Sequence, residues 1–191
     1  MLGFIHHRLR ALCWTCFYRI LGRFAFVHLG KGSRFEGWID IPQRGGRIVI
    51  GRNVYVCRFV EFSVPRNGEL IIGDGVFIGR GTVISAHKKV EIGMGSMLGE
   101  FVSIHDNDHN FDSPDLPLGE QGFVTEPLEI GANCWIGAKA VLVRSSGMEE
   151  RCVLGAGAVL TKRMPAGTMA VGVAASIREK RSPKLDALRG S

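Results

Sequence analysis

Fifteen apolar residues fall on a six-residue lattice between positions 50 and 160. They run Ile50, Val56, Phe62; then Ile72, Ile78, Ile84; then Ile92, Leu98, Ile104; and finally Ile130, Ile136, Leu142, Met148, Leu154, Leu160. A fixed short period marks a repeat architecture, in which each unit buries its apolar side chains only by stacking on the next. Eight of the fifteen are followed by glycine: Gly51, Gly73, Gly79, Gly93, Gly99, Gly131, Gly137 and Gly155. The position four after the lattice residue is usually small or β-branched, as at Val54, Thr82, Ser96, Cys134, Ala140 and Ala158. This spacing predicts short strands that turn at the permissive glycine and bury two side chains per rung. Such rungs stack as a parallel solenoid with a narrow interior, three to each triangular coil of 18 residues, about five coils in all.

The breaks in the lattice fit the triangle. They fall after the third rung each time, at 62 to 72, 84 to 92 and 104 to 130, where Arg66, Lys88 and Asp108 replace the expected small residue. All three insertions therefore leave from one corner. Two are short turns, and the third is an excursion over 107–127, long enough to suggest function.

At 191 residues the chain reads as one domain with extensions: a lead-in over 1–45, the solenoid over 46–165 and a basic tail over 166–191. The tail, SIREKRSPKLDALRGS, is expected to be part helical on both sides of Pro183. Five cysteines are an odd number, and Cys134 and Cys152 take inward lattice positions, which suits a reducing compartment. Cys13 and Cys16 form a lone C-x2-C with no second pair to complete a zinc site. In residues 1–30, Leu9, Cys13, Cys16, Phe17, Ile20 and Phe24 recur at helical spacing among Arg8, Arg10, Arg19 and Arg23. The arginines interrupt the ~18 apolar residues a spanning helix needs, and also the core of a signal peptide. Two readings stay open: an amphipathic helix that caps the solenoid or packs on a subunit, or one lying on an anionic membrane surface. A net charge of +6 favours acidic partners, and no nucleic-acid-binding module is readable.

The segments PLEIGANCWIGAKAVL (127–142), VLGAGAVLTKRMP (153–165) and AVGVAA (170–175) resemble, in order and register, the hexapeptide-repeat acyltransferases. These are left-handed parallel β-helix enzymes that move acyl groups from coenzyme A. The resemblance implies an all-β, left-handed β-helix, a homotrimer with sites between neighbouring solenoids, acetyl-CoA as acyl donor, and no metal. It is closest to the sugar O-acetyltransferase type, which implies a cytoplasmic enzyme of bacterial surface polysaccharide or glycolipid synthesis, at most peripheral on the inner face of the membrane.

An acceptor hydroxyl must lose a proton as it attacks a thioester, and histidine is the side chain best matched to that task near neutral pH. His109, in the segment SIHDNDHNFD, stands where the family carries its catalytic histidine. Asp106 and Asp108 are expected to orient its ring or meet the acceptor, and His105 is the rival base. The resemblance places coenzyme contacts at Trp135, Ala138, Gly155, Ala156, Thr161, Lys162, Arg163 and Arg178. There are departures: Ala174 replaces the usual proline of G-V-P-A, and Gly79 and His87 replace acceptor-binding Asn and Asp of galactoside-type relatives. An N-acetyltransferase of an amino sugar or nucleotide sugar would use the same scaffold and base. Two other classes stay open. One is a γ-carbonic-anhydrase-like zinc enzyme built on His87, His105 and His109, though their spacing departs from that pattern; the other is a non-catalytic trimeric scaffold.

Overall fold

The computed structural model describes residue 16 and residues 27–41 and 45–180. From Val27 onward the chain winds as a left-handed parallel β-helix of triangular section with six complete turns. The first face stacks Val27–Leu29, Arg47–Ile50, Glu69–Ile72, Val90–Ile92, Leu128–Ile130, Gly147–Met148 and Arg163–Met164. The second stacks Arg34–Phe35, Tyr55–Val56, Phe77–Ile78, Met97–Leu98, Trp135–Ile136, Val153–Leu154 and Thr168–Val171. The third stacks Ile39–Asp40, Val60–Ser63, Val83–Ser85, Ser103–His105, Val141–Leu142 and Val159–Leu160.

Lattice residues lie directly over one another, Ile50 on Ile72, Val56 on Ile78 and Phe62 on Ile84. All fifteen are 4% exposed or less, and together they form the core. Each large aliphatic side chain so buried is worth about 1.5–3 kcal/mol. The polar interior residues serve the corners. Ser33, Thr82 and Ser96 donate their hydroxyls to the corner carbonyls of Gly51, Gly99 and Gly131, at 2.7, 3.2 and 2.9 Å.

The glycine that follows eight of the lattice residues is not where the chain turns. It is where successive coils touch: a Cβ on Gly73 would lie 2.6 Å from the amide nitrogen of Met94, and one on Gly93 or Gly131 2.5 Å from that of Ala132 or Glu150. The left-handed turn comes two residues later. Asn53, Phe59, Phe101, Asn133, Lys139, Ser145 and Arg151 hold φ between 55° and 66°, a conformation costing an L-residue roughly 1–2 kcal/mol that coil stacking must offset.

The coil stack also begins earlier and ends later than 46–165. Leu29 pairs with Ile50 and Phe35 with Val56, adding a first coil from the segment read as lead-in. Leu154 pairs with Ala170, carrying the second face past Pro165. Residues 176–180, expected to be helical, instead form a strand antiparallel to Thr168–Val171, because the open edge of the second face offers backbone groups to pair with. The rest of the tail and nearly all of the N-terminal amphipathic segment lie outside the described residues; Cys16 alone is described there, in helical conformation. Among the described residues no helix is long and apolar enough to cross a membrane.

Candidate active site

Every insertion opens at the third corner, between the third face and the first. There the fully buried carboxylate of Asp106 accepts backbone N–H bonds from His87 at 2.8 Å and from Lys88 and Lys89 at 2.7 Å each. The Asn107 amide donates to it at 3.1 Å and to Ser85 Oγ at 2.9 Å. An ionised carboxylate is an acceptor only, which suits a turn whose extra residues have lost their ladder partners. Asp106 thus ties the turn of one coil to the root of the long excursion on the next, and does not orient an imidazole.

The excursion is a hairpin. Asn107–His109 pairs antiparallel with Phe123–Thr125, setting His109 opposite Phe123. The His109 ring lies 4.4 Å from that of Phe123, and His87 meets Phe123 edge-on from another side at 4.5 Å. His109 is exposed. Asp108, the second carboxylate expected to hold it, is engaged elsewhere: its Oδ2 accepts from Arg144 Nε at 2.8 Å. Ser145 Oγ donates to Glu126 on the returning strand side at 2.6 Å, so the hairpin is fastened to the following coil at two points.

Burial lowers the His87 pKa below its ordinary value, with Asp106 opposing and His109 adding to the effect. His105 lies on the third face with Nε2 2.7 Å from Ser103 Oγ, and burial lowers its pKa too, against the opposing charges of Asp106 and Asp108. His87 and His109 share the Phe123 ring while His105 meets Ser103, and among the described residues no three His, Cys, Asp or Glu side chains are arranged to hold a metal ion.

The residues expected to meet coenzyme fall on two edges. Thr161 and Lys162 are exposed at the third corner, two coils beyond the hairpin. Trp135 projects from the second face, 51% exposed, in a ladder between Met97 and Val153. Ala138, Gly155 and Ala156 sit at the second corner, where small side chains leave the backbone open. Gly155 also has a packing reason to lack a side chain, since a Cβ there would meet Val171 Cγ1 at 2.7 Å. Arg163 faces Glu129 and Glu149 on the first face at 3.5 and 3.8 Å, and Arg178 is exposed on the final strand. A six-residue rung at about 3.3 Å per residue separates neighbouring corners by up to roughly 20 Å. His109, beyond the third corner, and Trp135, on the second face, stand at different places round the triangle.

Phe123, Arg144 and the link from Asp106 to the turn were not legible beforehand. The alternation in FVTEP gave a weak strand signal for the first, and nothing local marks the other two.

A family model for the hexapeptide repeat of succinyl-transferase matches residues 127–162. A probable acetyltransferase of Mycobacterium tuberculosis is 33% identical over 155 residues, 81% of this chain and 50% of that protein. The galactoside O-acetyltransferase of Escherichia coli is 27% identical over 152 residues, 78% of this chain and 61% of that protein. The chain thus spans about half of the first of these curated relatives and three fifths of the second. Among solved structures, the N-acyltransferase AntD of Bacillus cereus, in complex with dTDP-4-amino-4,6-dideoxyglucose and coenzyme A, gives a TM-score of 0.73 at 20% identity, over 90% of this chain and 93% of that one. A hexapeptide-repeat acetyltransferase of Vibrio cholerae complexed with acetyl coenzyme A gives 0.58 at 20% identity, over 86% and 76%. Repeat register, fold and relatives agree: the chain carries the hexapeptide repeat of the left-handed β-helix and is similar to acetyltransferases over about four fifths of its length.

Proposed function

We propose that this chain is an acetyl-CoA-dependent O-acetyltransferase acting on a sugar hydroxyl, in synthesis of a bacterial surface polysaccharide or glycolipid, with His109 as general base. One observation carries the reading: His109 is an exposed imidazole on a hairpin fixed to the coil stack by Asp106 at its root and by Arg144 to Asp108 beside it. The likeness to a galactoside O-acetyltransferase supports a hydroxyl acceptor.

In the reaction the imidazole takes the acceptor proton as the acceptor oxygen attacks the thioester carbonyl carbon. Collapse of the tetrahedral intermediate breaks the C–S bond, the departing sulfur takes the proton from the imidazolium, and the acetyl ester and free thiol remain. A positioned base of this kind is worth about 10² to 10⁴ in rate. Phe123 packs against the ring, while burial lowers the His87 pKa and so disfavours a like charge beside the imidazolium. Asp106 and Asp108 act as positioning residues.

The acyl donor is assigned to Trp135, Ala138, Gly155 and Ala156 of one copy and to Thr161 and Lys162 near His109 of its neighbour, with Arg178 for coenzyme phosphate. This division requires a homotrimer or another closed ring of copies. The outward column of Tyr55, Phe77, Met97 and Trp135 supports it, as an apolar stripe along the second face in which Met97 and Trp135 are half exposed.

Thiol release from acetyl-CoA, followed across nucleotide sugars, free sugars and lipid-linked glycans, tests the reading. Release that depends on an acceptor and yields a product labile to mild hydroxide is expected. An amide product would shift the assignment to N-acetylation of an amino sugar, and absence of acetyl-CoA binding would overturn it.

A further inference from the structure

On the N-terminal side of the hairpin the third corner holds a groove of about 720 Å³. Its walls carry Arg47, Arg66, Lys88, Lys89 and His28, against the single carboxylate of Glu69. Its floor is glycine, at Gly45, Gly46 and Gly68, so the space between the basic side chains stays open. Arg47 is paired with Glu69, and Lys89 Nζ lies 2.8 Å from Glu91. Arg66 and Lys88, on successive coils and exposed, have no carboxylate partner among the described residues.

We propose that this groove is a subsite for the diphosphate of a glycosyl diphosphate acceptor, with Arg66 and Lys88 as its principal phosphate contacts. The inference rests on the acetyltransferase reading and names the class of its acceptor. Two unpaired cations facing one concavity suit two adjacent phosphoryl groups, with guanidinium supplying a planar fork and ammonium a mobile point charge. The volume lies within the range of small-ligand sites. The groove is also coupled to the base. The backbone amides of Lys88 and Lys89 are held by Asp106, which roots the hairpin, and the neighbouring His87 is one aromatic ring from His109. The groove lies on coils before the hairpin and is bounded by Pro127, whereas the proposed donor edge lies on coils after it. Donor and acceptor thus approach His109 from opposite ends of the solenoid axis.

Nucleoside-diphosphate sugars and polyprenyl-diphosphate sugars share this chemistry. Calorimetric titration of the full chain with UDP, dTDP and a short-chain prenyl diphosphate, for wild type and the Arg66→Ala, Lys88→Ala double variant, separates them. Binding of at least one probe, weakened about 10-fold or more in the variant while acetyl-CoA affinity is unchanged, is expected, since charge-assisted hydrogen bonds are the strong ones. Preference for the nucleotides or for the prenyl compound identifies the source. Weakening of acetyl-CoA binding instead would assign the groove to the donor and overturn the proposal, as would failure of every diphosphate to bind. Binding does not depend on turnover, so bound diphosphate without acetyl transfer to any acceptor would contradict the transferase reading and not the groove. Circular dichroism of the variant, which alters two exposed side chains, verifies its fold.

Discussion

The second and third corners of the solenoid are made from the same six-residue rungs, with the same buried lattice residues behind them, yet only the third is broken by insertions. At the second corner the chain closes alike coil after coil, and its backbone amides are consumed by neighbours: Gly79 N–H donates to Leu98, Gly81 to Arg58, Gly99 to Ile136 and Phe101 to Arg80. What this corner offers a ligand is only the open edge of small residues at Ala138, Gly155 and Ala156. At the third corner extra residues break the ladder, and side chains must satisfy what the neighbouring coil no longer can. Asp106 does so for three amides at once, and His87, His109, the Arg144 anchor and the basic groove gather round it. A repeat protein acquires titratable, oriented groups where its repeat is interrupted.

Removing the carboxylate at the broken corner gives the largest stability effect. Asp106→Ala orphans three backbone N–H groups, at about 1–3 kcal/mol each, so a loss of about 3 kcal/mol or more is expected by urea unfolding, with acetyl transfer falling further as the hairpin loosens. An unchanged midpoint would mean that water serves the turn equally well. The regular corners and their glycines answer differently. Gly93→Ala drives a Cβ to 2.5 Å from the next coil's backbone and is expected to cost about 1–3 kcal/mol, the usual range for overpacking, in the thermal midpoint. A neutral result would show that the coils separate easily and that close contact is not why glycine stands there.

The smallest effect is one of pH. The folded pKa of His87 lies below 6.5, chiefly through burial, so the unfolded chain takes up its proton first as pH falls. Its contribution to stability is complete above about pH 6.5 and is lost as pH drops through the lower folded value. Unfolding midpoints at pH 7.5 and 5.5 should therefore differ less in His87→Phe than in wild type. An equal difference in both would place the acid sensitivity elsewhere, for instance at His105, whose pKa moves in the same direction.

The coil stack was legible because stacking forces a side chain of one kind inward at every sixth position, and that demand is local. The first coil carried the signal too: Leu29, Phe35 and Ile41 stand six apart, with Ser33 four after the first, but the run is short and ends beside a break. Gly93 and Gly131 were legible as small, not as close contacts, since the group they avoid lies a whole coil away in the chain. His109 was found through a motif. Its surroundings were not, because Phe123 reaches it across the hairpin and Arg144 reaches Asp108 from the next coil. The two aspartates illustrate the limit: their proximity in sequence to His109 suggested a shared task, and the strand geometry sends each to a different partner.

The most direct measurement compares single-turnover acetyl transfer in His109→Ala and His105→Ala, each verified as folded. If the broken corner carries the chemistry, His109→Ala loses about 10² to 10⁴ in rate while His105→Ala, a half-buried residue bonded to Ser103, stays within about 5-fold of wild type, well below the worth of a general base. A loss of that size in His105→Ala with His109→Ala still active would move the base to the third face and contradict the assignment.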